Sequence, residues 1–125
     1  MILFRVGCAI VWAVIWGLAG MPWDGTADTL NPRGLVWTFS PESKRQLLDA
    51  FLNFIFYIPL GALLASNGVS AARAVGAALL LSATTELLQL FSVTRVAAFL
   101  DLVLNTAGAW LGARIATGTR ETQQA

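Results

Sequence analysis

The run LLDAFLNFIFYIPLGALLA, residues 47–65, decides the fold. It is close to the roughly 20 residues that carry an α-helix across about 30 Å of hydrocarbon. Its polar members, Asp49 and Asn53, sit together near one end and one helical turn apart. Three further apolar runs share this character, at 6–21, 74–91 and 97–115. A backbone in lipid must satisfy its own hydrogen bonds, so each run is expected to be helical. Short polar turns at 66–70 and 92–96 join the last three runs and place consecutive helices antiparallel. The expected fold is all-α: an integral membrane bundle of four transmembrane helices, antiparallel up-down, in one domain over 1–125.

Composition agrees. The chain has 125 residues, of which 57% are hydrophobic and 12% charged, and its mean hydropathy is +0.69. Soluble domains carry about 25% charged residues. Small domains also bury the smallest share of their surface, so this much apolar surface has to face lipid. The bilayer is therefore an expected partner. A net charge of +1 with no basic stripe excludes nucleic acid. Cys8 is the lone cysteine and can form no internal disulfide. Histidine is absent, which removes the commonest general base and the commonest transition-metal ligand. Neither a metal nor a cofactor is expected, and any chemistry falls to carboxylates, amides, hydroxyls, Tyr57 or Arg95.

The connection at 22–46 is the longest, punctuated by Pro22, Gly25, Asn31, Pro32, Gly34 and Pro41. Ser40 followed by Pro41 reads as a helix N-cap with proline at the first helical position. Trp23 and Trp37 suit an interfacial belt. Residues 118–125 read as a frayed polar tail. Arg5, the run from Val6 and Ala19-Gly20 fit a cleaved leader only loosely, because the run is long and the cleavage site poor. The first run is therefore read as a retained helix. Arg5, Arg73, Arg114 and Arg120 fall on one side, and Arg33, Lys44, Arg45 and Arg95 on the other. Assigning Arg95 to a site breaks that tie, putting both termini in the cytoplasm and the 22–46 loop outside.

The polar residues within the runs are few, and their placement is informative. Asp49 and Asn53 open the second helix, Glu86 and Gln89 close the third, and Asp101 and Asn105 open the fourth. With antiparallel neighbours, all three pairs and Arg95 fall at the same side of the bilayer, the outer one. Each pair is spaced to share a helix face. These residues are the candidate ligand-binding set, and Glu86 and Asp101 are the candidate catalytic pair. A charge at the bilayer centre costs about 2.5 to 3.5 kcal/mol, so the carboxylates should find partners or water. Asp49 and Asp101 lie near helix starts, where an acid also serves the helix dipole. Glu86 lies near a helix end that disfavours it, so it is expected to need Arg95 or a proton. Gly108 and Gly112 extend the Asp101–Asn105 stripe and allow close helix approach, within the chain or to a second copy. Ala113 is expected to face lipid. Pro59 and Gly61 are expected to kink the second helix.

Asp49 and Asn53, Pro59-Leu60-Gly61, Glu86 with Gln89, Arg95, and then Asp101, Asn105, Gly108 and Gly112 together resemble the VanZ-like family of bacterial membrane proteins. The resemblance covers Asp49 to Gly112. It departs at Ala98, where many relatives carry another acid, which counts against a two-acid metal site in that turn. The family is named for a member associated with teicoplanin resistance. The resemblance implies a multi-pass protein of the bacterial inner membrane with a link to the cell envelope.

Three readings of function compete. In the first, the outer polar cluster binds an envelope lipid or a glycopeptide-related group: Arg95 meets phosphate or carboxylate, and Asn53, Gln89 and Asn105 give directional hydrogen bonds. In the second, the polar network only locks helix packing, and the Gly108/Gly112 face forms a homo-oligomer. In the third, Glu86 and Asp101 act as acid and base on a lipid-linked substrate. No nucleophile motif and no phosphate-cradling glycine loop support the enzyme, so binding ranks first and catalysis last.

Overall fold

The computed structural model describes residues 2–16, 44–92 and 97–124. It contains α1 (Ile2–Ile15), α2 (Lys44–Ser66), α3 (Ala71–Gln89) and α4 (Phe99–Gln124), with no strand among the described residues. The Ser40-Pro41 cap, Trp23, Trp37 and Arg95 lie outside the described residues.

Local chemistry explains the α2–α3 turn. Gly68 has φ 90, a left-handed conformation that glycine adopts without the Cβ penalty. Around it the Gly68 N–H donates to Ala65 O at 2.9 Å and the Val69 N–H to Leu64 O at 3.1 Å. That pair of bonds is a Schellman close, and Leu64 and Val69 add its usual apolar contact by packing on the same core cluster. Ser70 then caps α3, its hydroxyl accepting the Arg73 N–H at 3.4 Å.

Glycine sets the register of α2 on α4. A Cβ at Gly108 would overlap the Phe54 carbonyl, one at Gly112 the Ile58 carbonyl, and one at Gly61 the Ala109 carbonyl. Phe54 pairs with Gly108 and Ile58 with Gly112, so the two helices run parallel with their backbones in direct contact. α3 runs the other way, Ser82 meeting Asn105 and Glu86 meeting Ala98. α1 is antiparallel to α2: Cys8 packs near Ala62 and Ala65, and Trp12 near Tyr57 and Leu60. Trp12 stands edge-on to Tyr57 at 6.4 Å and stacks on Trp16 at 5.8 Å.

Several expectations change. The Gly108/Gly112 face offered above to a second copy is filled by α2 of the same chain. Ala113 is fully buried with Ala62, Ala65, Ala74 and Ala116, so it does not face outward. α2 remains helical on both sides of Pro59, which leaves the expected kink standing, and Gly61 has the added role of close contact with α4. α4 runs on to Gln124, so the polar segment from Gly118 is helical through that residue. Thr117 and Thr119 hold their hydroxyls on preceding carbonyls at 3.0 to 3.2 Å, so the polar side chains here do not break the helix.

The exterior is apolar. Leu3, Leu80, Leu87, Phe51, Trp110 and Ile115 are all exposed, and they come from all four helices. An exposed apolar surface of this extent is foreign to soluble monomers. Among the described residues, α2 and α3 are long and apolar enough to cross a membrane, while α1 is shorter. α4 carries Asp101 and Arg114 within its length.

Candidate functional site

At one end of the α2–α3–α4 interface the packing turns polar. On α3, Ser82 and Glu86 stand one turn apart, and both are buried. On α4, Asp101 and Asn105 stand one turn apart and face them. The Asn105 Nδ2 donates to Ser82 Oγ at 2.8 Å. One turn along, Glu86 Oε2 accepts the Ala98 N–H at 2.7 Å, and its charge interacts with that of Asp101. α2 closes the cluster with the Tyr57 hydroxyl, which hydrogen-bonds to the side chains of Ser82 and Thr85. Thr85 Oγ1 donates its own proton to Leu81 O at 3.0 Å, so it receives the Tyr57 bond as an acceptor.

The Glu86 bond answers the difficulty posed by its position. Its own helix ends nearby and presents partial negative charge. Ala98 immediately precedes α4, so the carboxylate sits at the positive end of the next helix. In a capping box the acid at the third helical position reaches back to this amide. Asp101 holds that position in α4, yet the amide is taken by Glu86 from α3. Arg95, one of the two expected partners, lies outside the described residues; among those described, a backbone N–H is the hydrogen-bond donor to Glu86.

Asn105 is 4% exposed, and its Oδ1 is buried with no hydrogen-bond partner. A buried acceptor left unmade costs about 1 to 3 kcal/mol. The other sequence-derived candidates divide. Gln89 is buried beside Glu86 on α3 and is engaged in an interaction. Asn53 is half-buried on α2, one turn before Tyr57, whereas Asp49 is exposed and does not join the buried cluster. Ser82 and Thr85 are members that the sequence did not single out, and Tyr57 was named for its chemistry without being placed in the site. The available signal was spacing, since Ser82 precedes Glu86 by one turn and Tyr57 follows Asn53 by one. Among the described residues, no group of three or more acidic, cysteine or histidine side chains is arranged to hold a metal ion.

A family model described as VanZ/LLP1 matches residues 6–119. No curated protein and no solved structure matches the chain.

Proposed function

Since this chain belongs to the VanZ/LLP1 family, we propose that it is a four-span inner-membrane protein whose polar seam binds an envelope ligand. Family membership and the two long apolar helices suggest a membrane protein, and the family is linked to teicoplanin resistance. The finer reading carries α1 and α4 across the bilayer as well, with both termini cytoplasmic and the seam toward the outer face.

The observation that carries a binding role is the buried Asn105 Oδ1 without a partner, set beside the charges of Glu86 and Asp101. A network kept only for packing would be expected to close its own hydrogen bonds, because unmade buried ones are expensive. An open acceptor beside two carboxylates fits a site that awaits a donor. Arg95, in the 93–96 connection, is the residue proposed to meet the anionic part of the ligand. The ligand itself is an envelope lipid or a glycopeptide-related group.

The packing reading has its own support. Gly61, Gly108 and Gly112 hold α2 and α4 in backbone contact, so the bundle has a tight joint independent of the seam. A deletion strain distinguishes the two. Under the binding reading its envelope lipid profile changes, the intact chain restores it, and Asn105→Leu fails to restore it despite normal accumulation. An unchanged profile in the deletion strain contradicts an envelope-ligand role.

A further inference from the structure

We infer that Tyr57 is a positioning residue that sets specificity: through Ser82, its hydroxyl fixes which end of the Asn105 amide is left open to a ligand. The order of the bonds follows from counting protons, and only its use rests on reading Asn105 as a ligand contact. Tyr57, Ser82, Thr85 and Asn105 are all buried, so bulk water does not replace a missing bond. Tyr57 brings one proton and bonds two hydroxyls, those of Ser82 and Thr85. Thr85 gives its own proton to Leu81 O at 3.0 Å, so it takes the Tyr57 proton. The Tyr57 oxygen is then left to accept from Ser82. With its proton directed at Tyr57, Ser82 can only accept from Asn105, and what it accepts is Nδ2, at 2.8 Å. The hydrogen bonds therefore run one way, from Asn105 to Ser82, Tyr57, Thr85 and the Leu81 carbonyl. Oδ1 is the end left unpartnered.

Turning the amide over shows what holds it. Oδ1 beside Ser82 needs the Ser82 proton, so Tyr57 has to give its own proton to Ser82. Thr85 then receives nothing, and the reversed network has one hydrogen bond fewer. In a buried seam that difference is felt in full. Without the Tyr57 hydroxyl, Ser82 bonds either end of the amide equally well, and the preference disappears. An open Oδ1 selects ligand groups that donate an N–H or O–H, whereas an open Nδ2 selects acceptors. Tyr57 thus sets the choice of donor over acceptor, acting through Ser82.

Nuclear magnetic resonance of the full chain in nanodiscs, isotope-labelled at the asparagine side chains, reads the amide directly. The Asn105 NH2 set is assigned by its absence in the isosteric Asn105→Asp. The expected result is one sharp set in the wild type and in Thr85→Ser. Tyr57→Phe and Thr85→Val should each give two sets, or one set broadened by exchange. Thr85→Val is the sharper arm, because Thr85 reaches Asn105 through Tyr57 and Ser82 in turn. A single sharp set in either of those variants overturns the inference, and so does doubling in Thr85→Ser. In complemented deletion cells at wild-type accumulation, Thr85→Ser should restore the envelope lipid profile, and Tyr57→Phe and Thr85→Val only part of it. Full restoration by the latter two overturns the specificity role. An unchanged profile in the deletion strain itself sinks the ligand reading, whatever the amide signal shows, so the two failures are told apart.

Discussion

Glu86 on α3 accepts the Ala98 N–H at the start of α4, at 2.7 Å, and so one helix's side chain caps the next helix. This bond ties the end of α3 to the beginning of α4 across a short connection. It also places a carboxylate where the α4 dipole favours it, which offsets the unfavourable end of α3. Removing the donor should therefore be felt more than removing the charge. Ala98→Pro deletes the N–H and should lower stability in detergent by about 1 to 3 kcal/mol. Glu86→Gln keeps an acceptor for the amide and should cost less. Thermal unfolding of both variants checks the order, and a larger loss in Glu86→Gln would reverse it.

The Ser82–Asn105 bond is the second tie between α3 and α4. Ser82→Ala leaves Asn105 Nδ2 buried without its acceptor and takes away a partner of Tyr57. A double-mutant cycle with Asn105→Leu should give a coupling of about 0.5 to 3 kcal/mol, the range for contacting residues in one network. Strictly additive losses would show that the two side chains act independently.

The glycine contacts make a sharper prediction than helix propensity does. Gly108→Ala puts a Cβ into the Phe54 carbonyl and should lower the yield of folded protein, although alanine is the better helix former. At Gly76 a Cβ meets nothing within 4 Å, so Gly76→Ala should be neutral or stabilising by up to about 1 kcal/mol. Detergent yield and unfolding midpoint compare the pair, and equal behaviour would contradict the close α2–α4 approach.

Much of the architecture was readable from spacing. Asp101, Asn105, Gly108 and Gly112 recur at steps of three and four residues, and that period put them on one face before any packing was known. The antiparallel order followed from short connections. What stayed hidden has physical reasons. The partner of Glu86 is a backbone amide, and every residue but proline has one, so its side-chain identity gives no sign. Ser82 sits in an alanine- and leucine-rich helix where a lone serine usually bonds its own backbone. Asp49 shares the i, i+4 spacing of the true seam pairs, yet it is exposed, because spacing within a helix does not say which way the face points. Ala113 is apolar and small, equally at home against lipid or against a helix, and only contact with α2 and α3 residues decides it. The end of α4 at Gln124 is not legible in the sequence, because polarity ends an apolar span without ending a helix.

Orientation is open to chemical labelling. With Cys8 replaced by alanine, a cysteine at Phe91, which is exposed at the end of α3, should react with an impermeant thiol reagent on intact spheroplasts. Cysteines at Ser70 or Thr119, both exposed at the opposite end of the bundle, should react only after permeabilisation. The reverse pattern would move the seam to the cytoplasmic side and remove an outer-leaflet ligand from consideration.

The central claim is that the seam binds a ligand and does more than hold α3 to α4. Glu86→Gln separates these roles, because it preserves the shape and the acceptor for Ala98 while deleting the charge. The measurement is complementation of a deletion strain by this variant, reading membrane accumulation and the envelope lipid profile in the same cells. The account predicts wild-type accumulation with a profile that is not restored. A fully restored profile at wild-type accumulation would contradict it, and so would a profile that fails only in proportion to lost protein.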